Sequence, residues 1–252
     1  MAASDAKGNK SVRHAMEVLE CFSADKPELG VTEIAQRMNL QKSTVFTILS
    51  TFQSMGYIGK NPDTSRYFLG NRLLHFSYII NSHIGLREQF LPYLNKIAEG
   101  THEVCYFGML DDGEVLYLES AYPPGQSHLR NVLGERAPLY CTGLGKAMMA
   151  NLPENDREAL LARPLPAYTD YTITNPAVLR QELEEVRANG YAVDNMEHEF
   201  GIRCVAVPVF GSGGQVIAAV SVSGPSLRFD PKAIIDRADF IKETLAPVQR
   251  CF

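Results

Sequence analysis

The chain has 252 residues, of which 45% are hydrophobic and 21% are charged, and its net charge is −5. This balance is typical of a globular protein and excludes a disordered chain, and the length suffices for two ordinary domains. No apolar run reaches about 18 residues, and the segment from Met1 to Lys10 is small and polar. The sequence therefore predicts a cytoplasmic protein with no membrane span and no secretion signal.

The five cysteines are widely spaced, and no two of them have a C-x-x-C spacing. An odd number of cysteines without a secretion signal favours reduced thiols over a disulfide framework. Neither the cysteines nor the six histidines form the closely spaced ligand pairs that are typical of a structural zinc site. We therefore expect no metal and no cofactor.

Charge is distributed unevenly along the chain. Residues 1–80 contain nine Lys and Arg against seven Asp and Glu, a net charge of +2. The remaining residues contain fifteen against twenty-two, a net charge of −7. This asymmetry has the sign expected if only the N-terminal part of the chain meets phosphate.

The first 60 residues have the pattern of a helix-turn-helix. Apolar residues recur at helical spacing over residues 11–22. A short helix is then predicted through residue 38, with Thr32 as its N-cap, followed by a turn at residues 39–40. A second helix is predicted from residue 43 to Gly56. Two short helices at this separation are typical of a helix-turn-helix.

Two strand-like segments, at residues 57–58 and 67–69, flank a polar loop directly after the second helix. A small hairpin in this position predicts a wing. If the second helix enters the major groove, its N-terminal residues meet DNA first. The candidate DNA-binding residues are Gln41, Lys42, Ser43, Thr44, Thr47 and Arg66.

The candidate DNA-binding residues fall into two groups, those that suit phosphate contacts and those that suit base edges. We assign Lys42, Ser43 and Arg66 mainly to phosphate contacts, because cations and helix N-termini bind phosphate. Gln41, Thr44 and Thr47 are candidates for reading base edges. The alternative is a helical bundle that never contacts DNA, in which the hydroxyls at the start of the second helix serve only as a cap.

A helix predicted over residues 71–83 is apolar on more than one face, so it needs a partner on more than one side. It could pair with its twin in a second chain, or it could be buried within one chain. Another helix is predicted over residues 86–99, with Pro92 bending it or moving its start.

From residue 101 onward, short strands alternate with helices. The turn signature Asp111-Asp112-Gly113 predicts one hairpin, and the glycine-rich segment 211–214 predicts a second. The predicted strands are 104–110, 114–120, 203–210 and 215–224, and the predicted helices are 143–150, 175–189 and 230–248. Strand pairs mixed with helices indicate an α+β fold with an antiparallel sheet.

The chain resembles the IclR family of bacterial transcriptional regulators over nearly its whole length. The resemblance is carried by SVRHAMEVLECF, VTEIAQRMNLQKSTVFTILSTFQSMGYI, SRYFLG, RAPLYCTGLGKAMMANL, GYAVDNMEHEFGIRCVAVPVF and AVSVSGP. It implies a winged helix-turn-helix domain at 8–70, a linker helix at 71–85 and an effector-binding domain at 86–252 with a GAF-like antiparallel sheet and helices. It also implies a homodimer or a dimer of dimers on a partly palindromic operator in double-stranded DNA.

Three positions depart from the family pattern. Thr47 stands where many members have arginine, which puts the sequence preference in doubt. Gly143 stands where alanine is commoner, which would admit a ligand closer to the backbone. The acidic cluster with two consecutive acids is replaced here by the segment 195–199, Asn-Met-Glu-His-Glu.

The resemblance also implies an effector pocket, and its residues make chemical sense together. The backbone amides of a turn entering a helix could hold an anion, and two serines two apart on a strand point the same way. Their hydroxyls can donate to a carboxylate, while an aspartate accepts from a ligand hydroxyl. The candidate effector-binding residues are Gly143, Leu144, Asp194, Cys204, Ser221 and Ser223.

We expect the effector to be a small organic acid, with an aromatic or hydroxylated acid as one option. The expected walls of the pocket are Phe107, Met109, Leu129 and Leu133. In the alternative, both serines satisfy backbone groups and Cys204 is a small buried hydrophobic residue.

Enzyme motifs are missing from the chain. The glycines before Lys146 lack the P-loop spacing, and Ala147 stands where a P-loop has Ser or Thr. No G-x-S-x-G occurs, and a dyad of Cys204 and His198 has no sequence context. We therefore expect a regulator whose DNA binding responds to a small molecule, not an enzyme. An enzyme on a GAF-like domain and an adaptor that has lost DNA binding are the alternatives, and steeply salt-dependent DNA binding would separate the regulator from both.

Overall fold

The computed structural model describes residues 8–83, 85–126 and 132–248, with backbone alone at 81–83. Internal contacts divide the chain into an N-terminal unit, Met1–Gly85, and a C-terminal unit, Leu86–Phe252. Within the described residues, no helix has the length and apolar character needed to cross a membrane.

The N-terminal unit is a three-helix cluster with a two-stranded antiparallel hairpin. Its elements are α1 (Lys10–Glu20), α2 (Val31–Met38), α3 (Lys42–Ser54), β1 (Ile58–Lys60) and β2 (Tyr67–Leu69). Val18, Ile34, Val45 and Leu49 are fully buried where the three helices meet. The turn between α2 and α3 passes through Asn39 in the left-handed conformation, with φ of 51°, as the sequence predicts.

The predicted N-cap of α2 is wrong by two residues. The cap is Gly30, and the Glu33 carboxylate accepts a hydrogen bond of 2.8 Å from its backbone amide. This bond satisfies a donor at the helix start, so α2 begins at Val31 and Thr32 lies inside its first turn.

The N-terminal unit continues into α4 (Leu73–His83). The Arg72 guanidinium bonds to the Met55 carbonyl at 2.8 Å and lies 5.2 Å from the Tyr57 ring, on which Phe76 stacks at 5.9 Å. These contacts fix where α4 starts. Beyond them, its apolar residues Leu74, Tyr78 and Ile80 are each more than half exposed.

The C-terminal unit contains a six-stranded sheet covered by helices. In chain order its elements are α5 (Gly85–Thr101), β3 (Val104–Asp111), β4 (Glu114–Ala121), β5 (Arg136–Pro138), α6 (Gly143–Met149), α7 (Glu154–Leu161), α8 (Pro176–Asn189), β6 (Ala192–Asn195), β7 (Ile202–Phe210), β8 (Val216–Pro225) and α9 (Pro231–Leu245). All four predicted strands are present, whereas β5, β6 and α7 were not predicted. Pro92 lies inside α5 and neither ends the helix nor moves its start.

The strand order is β5-β4-β3-β8-β7-β6, and every neighbouring pair is antiparallel. The β3–β4 hairpin turns through Asp112 and Gly113 at φ of 50° and 80°, the geometry that the Asp-Gly sequence predicts. Helices α5 and α9 pack on one face of the sheet, and α6 and α8 pack on the other. Along β8, Val220 and Val222 point into the core beneath α5 and α9, so Ser221 points to the α6 face.

Candidate DNA-binding surface and effector cavity

The exposed face of α3 carries most of the predicted DNA-binding residues. Gln41 is the N-cap of the helix and makes no side-chain cap bond, and the first turn contains no acidic residue. Five of the six predicted residues are exposed here: Gln41, Lys42, Ser43, Thr44 and Thr47. The N-terminal half of α3 is thus a polar surface open to a large partner.

The hydrogen bonds of Thr47 limit which groups its side chain can offer to DNA. Its hydroxyl donates to the Ser43 carbonyl at 3.0 Å, and the Thr51 hydroxyl donates to the Thr47 carbonyl at 2.9 Å. Because both hydroxyl protons are used inside the helix, these side chains offer a partner their methyl groups and an acceptor oxygen, not a donor.

Arg66 is placed differently from the other five. Its guanidinium lies 2.7 Å from the Glu33 carboxylate and donates to the Glu28 carbonyl at 3.0 Å. The bonds from Gly30 and Arg66 hold the pKa of Glu33 below its ordinary value. Arg66 therefore joins the wing to the start of α2, and its phosphate contact stays a prediction.

Sequence reasoning missed two exposed residues of this surface. Lys60 on β1 is exposed, with its ammonium 5.4 Å from the Tyr67 ring, so it is a wing cation that faces solvent. Phe46 lies one turn after Lys42 and Ser43 on α3 and is 52% exposed. An aromatic residue at helical spacing beside Val45 and Leu49 is easily assigned to the core, which is why the sequence pattern did not single it out.

The C-terminal unit contains a cavity of about 310 Å³ on the α6 face of the sheet. All six predicted effector residues line it: Gly143, Leu144, Asp194, Cys204, Ser221 and Ser223. They come from α6 and from three adjacent strands, so the topology brings together residues up to 80 positions apart.

The predicted walls of the cavity need correction. Phe107 is fully buried on the opposite face of the sheet, where its ring stacks on Phe90 at 4.5 Å, and Met109 packs against the same core. The alternation of side chains along β3 instead turns Tyr106 into the cavity. Val132 lines the cavity where Leu133 was expected, and Leu129 lies outside the described residues.

A polar row crosses the floor of the cavity. Asp194 on β6 is paired with Cys204 on β7, which is paired with Ser223 on β8. The Ser223 hydroxyl and the Cys204 sulfur are 2.8 Å apart. At the start of α6, the Gly143 and Leu144 amides are first-turn donors, which have no acceptor within the helix.

The missing side chain of Gly143 has a packing consequence. A Cβ added there would lie 3.3 Å from the Cβ atoms of both Cys204 and Ala206 on β7. The glycine therefore lets α6 lie close against β7. Gly143 also lines the cavity, so the expected closer approach of a ligand stays a prediction.

Burial shifts the protonation of Asp194. Desolvation raises the pKa of its carboxyl to about 7 from an ordinary 3.8, and the nearby Glu197 carboxylate adds to the rise. Backbone amides of Glu197 and His198 oppose it, as does the Lys146 ammonium. Asp194 can thus be a hydrogen-bond donor or an acceptor near neutral pH.

A buried ion-pair network lies next to the floor of the cavity. The Lys146 ammonium on α6 is fully buried and lies 2.5 Å from Glu197 and 2.9 Å from Glu182 on α8. Burial alone would lower the pKa of Lys146, but the two carboxylates outweigh burial and raise it. Because Glu197 also donates its amide to Asp194 at 2.8 Å, the network joins α6, α8 and the floor of the cavity.

Two tyrosine rings and paired cations complete the cavity. Tyr106 and Tyr117 meet edge to face at 5.7 Å, and burial raises the pKa of Tyr117, so its phenol stays neutral. Arg228 at the cavity lies 2.5 Å from Glu103, which also binds Arg237 at 3.1 Å. Glu103 carries one negative charge against two guanidinium groups, so this cluster of three side chains keeps a net positive charge at the edge of the cavity, beside the hydroxyl, carboxyl and ring groups.

A family model of known proteins matches each of the two units. The model of the IclR helix-turn-helix domain matches residues 11–62, and the model of the bacterial transcriptional regulator IclR C-terminal domain matches residues 79–248. The chain belongs to the IclR family. It is therefore a helix-turn-helix transcriptional regulator with an effector-binding C-terminal domain.

Relatives resemble the chain over most of its length. The HTH-type transcriptional regulator XynR of Escherichia coli (strain K12) is 34% identical over 222 residues, which cover 88% of each protein. The p-hydroxybenzoate hydroxylase transcriptional activator of Acinetobacter baylyi is 30% identical over 233 residues, 88% of this chain and 83% of the activator. An IclR homologue from Microbacterium hydrocarbonoxydans, solved in complex with 4-hydroxybenzoate, is 26% identical with a TM-score of 0.76, and the match covers 94% of this chain and 99% of that one.

Proposed function

We propose that this regulator binds its operator as a homodimer or a dimer of dimers and that a hydroxylated aromatic carboxylic acid in the cavity changes that binding. The observation that carries the proposal is the cavity itself. Ser221 supplies a hydroxyl donor for a carboxylate, and Ser223 supplies a second when its hydroxyl turns from the Cys204 sulfur to the ligand. Asp194 can bind a hydroxyl, and Tyr106 and Tyr117 supply flat apolar surface. The relatives linked by name to hydroxybenzoates support this ligand class.

The oligomer is supported by the exposed apolar residues of the N-terminal unit. On α1, Val12 and Met16 are four residues apart and each is more than half exposed, as are Leu74, Tyr78 and Ile80 on α4. Val12 and Met16 lie on one face of α1, and Leu74 and Tyr78, also four residues apart, lie on one face of α4, with Ile80 on another. An apolar helix face is stabilised when it pairs with another such face. We infer that α4 is the linker helix and pairs with its twin.

Regulation follows from differential affinity. A ligand shifts an equilibrium between two arrangements of the DNA-binding units only if it binds those arrangements with different affinity. The effector would thereby change the spacing of the paired α3 helices on two half-sites of the operator. This is a binding function in the cytoplasm, where the operator is, and it requires no catalytic step.

The experiment is thermal unfolding of the full chain with 4-hydroxybenzoate, 3-hydroxybenzoate, benzoate, 4-hydroxybenzyl alcohol and pyruvate. A ligand at about a hundred times its Kd adds roughly 2.7 kcal/mol, which raises the melting temperature by a few degrees. We expect the hydroxybenzoates to exceed both benzoate, which lacks the hydroxyl, and the alcohol, which lacks the carboxylate.

The variants locate the site. Ser221→Ala/Ser223→Ala should abolish the shift, while Ser212→Ala, an exposed serine in the β7–β8 turn, should retain it. A shift that survives the double variant would place the ligand elsewhere. No shift with any of the acids, for a folded protein, would contradict the proposed ligand class.

A further inference from the structure

One exposed side chain on the α3 surface, that of Phe46, cannot form hydrogen bonds with DNA. Phe46 lies one turn after Lys42 and Ser43 and is 52% exposed, whereas its neighbours Val45 and Leu49 are fully buried and hold α3 in the core. The core of the N-terminal unit includes Phe22 and Phe52 but not Phe46. The Phe46 ring is thus available to whatever partner covers α3.

Two threonines on the exposed side of α3 also offer a partner apolar groups. The hydroxyl protons of Thr47 and Thr51 are bonded to helix carbonyls at 3.0 and 2.9 Å, so these residues can present methyl groups. Side chains that can donate to phosphates or bases are concentrated at the N-terminal end of α3, at positions 41–44, with Gln53 further along the helix. The part of α3 around Phe46 therefore offers apolar contacts, and its N-terminal end offers mainly polar ones.

We propose that Phe46 packs on the C5-methyl group of a thymine in the major groove and specifies thymine at one position of each half-site. This inference rests on the proposed operator binding. Thymine is distinguished in the major groove by its methyl group, an apolar feature that a phenyl ring can cover. Cytosine and the purines present hydrogen-bonding edges there, which the ring would desolvate without bonding to them.

The test begins with a duplex selected from a random library by the full-length protein. Each thymine of that duplex is replaced in turn by deoxyuridine, which removes only the C5-methyl group, and Kd is measured by fluorescence anisotropy at fixed salt. Burying one methyl group corresponds to about a fourfold change in affinity. We expect one thymine in each half-site to lose about that factor, and the paired replacement to lose roughly fifteenfold.

Variants identify the side chain that reads the methyl group. In Phe46→Ala, the sensitive thymine should become indifferent to deoxyuridine, while Phe46→Leu should retain part of the discrimination. Met55→Ala is the matched control, because Met55 is an exposed apolar residue just past the C-terminal end of α3, 45% exposed. It should keep the full wild-type sensitivity.

The outcomes separate this inference from the function on which it rests. A selected duplex in which no thymine is sensitive, or in which Phe46→Ala is as sensitive as wild type, overturns the role of Phe46 and leaves operator binding intact. A folded protein that selects no duplex overturns the proposed function and the inference with it. In a further duplex, the sensitive thymine is replaced by cytosine and then by 5-methylcytosine. A gain in affinity from the added methyl group in the wild type, but not in Phe46→Ala, supports the inference independently.

Discussion

The two units of this regulator place their functional side chains in opposite surroundings. In the N-terminal unit the candidate contacts lie on the outside of α3, and the core beneath them is apolar. In the C-terminal unit the candidate contacts line a cavity, and charged groups such as Lys146 and Asp194 are buried behind and beside it. A long charged partner is met at an exposed surface, whereas a small ligand must be enclosed.

This difference determines which perturbations matter in each unit. Exposed charges interact weakly with their neighbours and are screened by salt, so the N-terminal unit should respond mainly to ionic strength. Buried charges depend strongly on their partners, so the C-terminal unit should respond mainly to substitution and pH. The three predictions below test that contrast, from the largest expected effect to the smallest.

The largest effect should come from Lys146→Met. The substitution leaves Glu197 buried, 3% exposed, without its cation. Removing one partner of a buried ion pair destabilises by about 3–5 kcal/mol. Hydrogen exchange followed by mass spectrometry reports the two units separately, and exchange in peptides from α6 and β7 should accelerate by at least about a hundredfold while α2 and α3 are unaffected.

Two controls sharpen this prediction. Lys146→Met/Glu197→Gln removes the stranded charge as well and should recover part of the loss. Lys232→Met changes a lysine on α9 that is 83% exposed and should be almost neutral. Equal, small effects for both lysines would show that the buried network does not stabilise the C-terminal unit, and the contrast between the units would fail.

A pH-dependent effect of intermediate size should come from Asp194. Because its pKa of about 7 in the folded chain exceeds the ordinary 3.8, the folded chain binds this proton more tightly than the unfolded chain does. The resulting stabilisation is complete below the ordinary pKa and is lost as pH rises through about 7, with a slope of at most about 1.4 kcal/mol per pH unit for one proton.

Asp194→Asn lacks this proton but keeps an oxygen that can accept from the Glu197 amide. The free energy of unfolding of the variant minus that of wild type should therefore increase from pH 5.5 to 7 and level off above pH 8. Urea unfolding of both proteins at each pH measures the difference. Parallel profiles for the two proteins would show that Asp194 does not take up a proton on folding.

The features of each unit that the sequence could predict are those specified by residues adjacent in the chain. The helix-turn-helix was predictable because α2, Asn39 and α3 are adjacent in the chain and each carries its own pattern. The β3–β4 hairpin was predictable for the same reason, since Asp112 and Gly113 specify the turn. The cap of α2 was misplaced because a glycine carries no side-chain cap, and the Glu33 carboxylate bonds its amide instead.

The errors concern interactions between distant residues. Helices cover both faces of the sheet, so β3 is apolar on both sides and its alternation cannot show whether Tyr106 or Phe107 faces the cavity. Lys146 binds carboxylates 36 and 51 residues away, and Arg66 binds Glu33 across the unit. The strand β6 has only four residues, too few for a periodic signal.

The smallest effect should distinguish Lys42 from Arg66 on the N-terminal unit. Each phosphate contact contributes about 0.9 to the slope of log affinity against log salt concentration. Lys42→Gln should lower that slope by about 0.9 for each bound copy of the chain, because Lys42 is exposed at the start of α3. Arg66→Gln should leave the slope unchanged, since the Arg66 charge is bound to Glu33 at 2.7 Å.

The slopes are measured by anisotropy on one duplex between 50 and 300 mM salt, roughly the range over which phosphate contacts dominate affinity. Lys232→Gln, which removes an exposed cation from the C-terminal unit, is the control for net charge and should leave the slope at the wild-type value. A fall of about 0.9 for Arg66→Gln would mean that its guanidinium leaves Glu33 for phosphate when DNA binds. In that case the contact predicted from the sequence would be right, and the wing would have to rearrange on the operator.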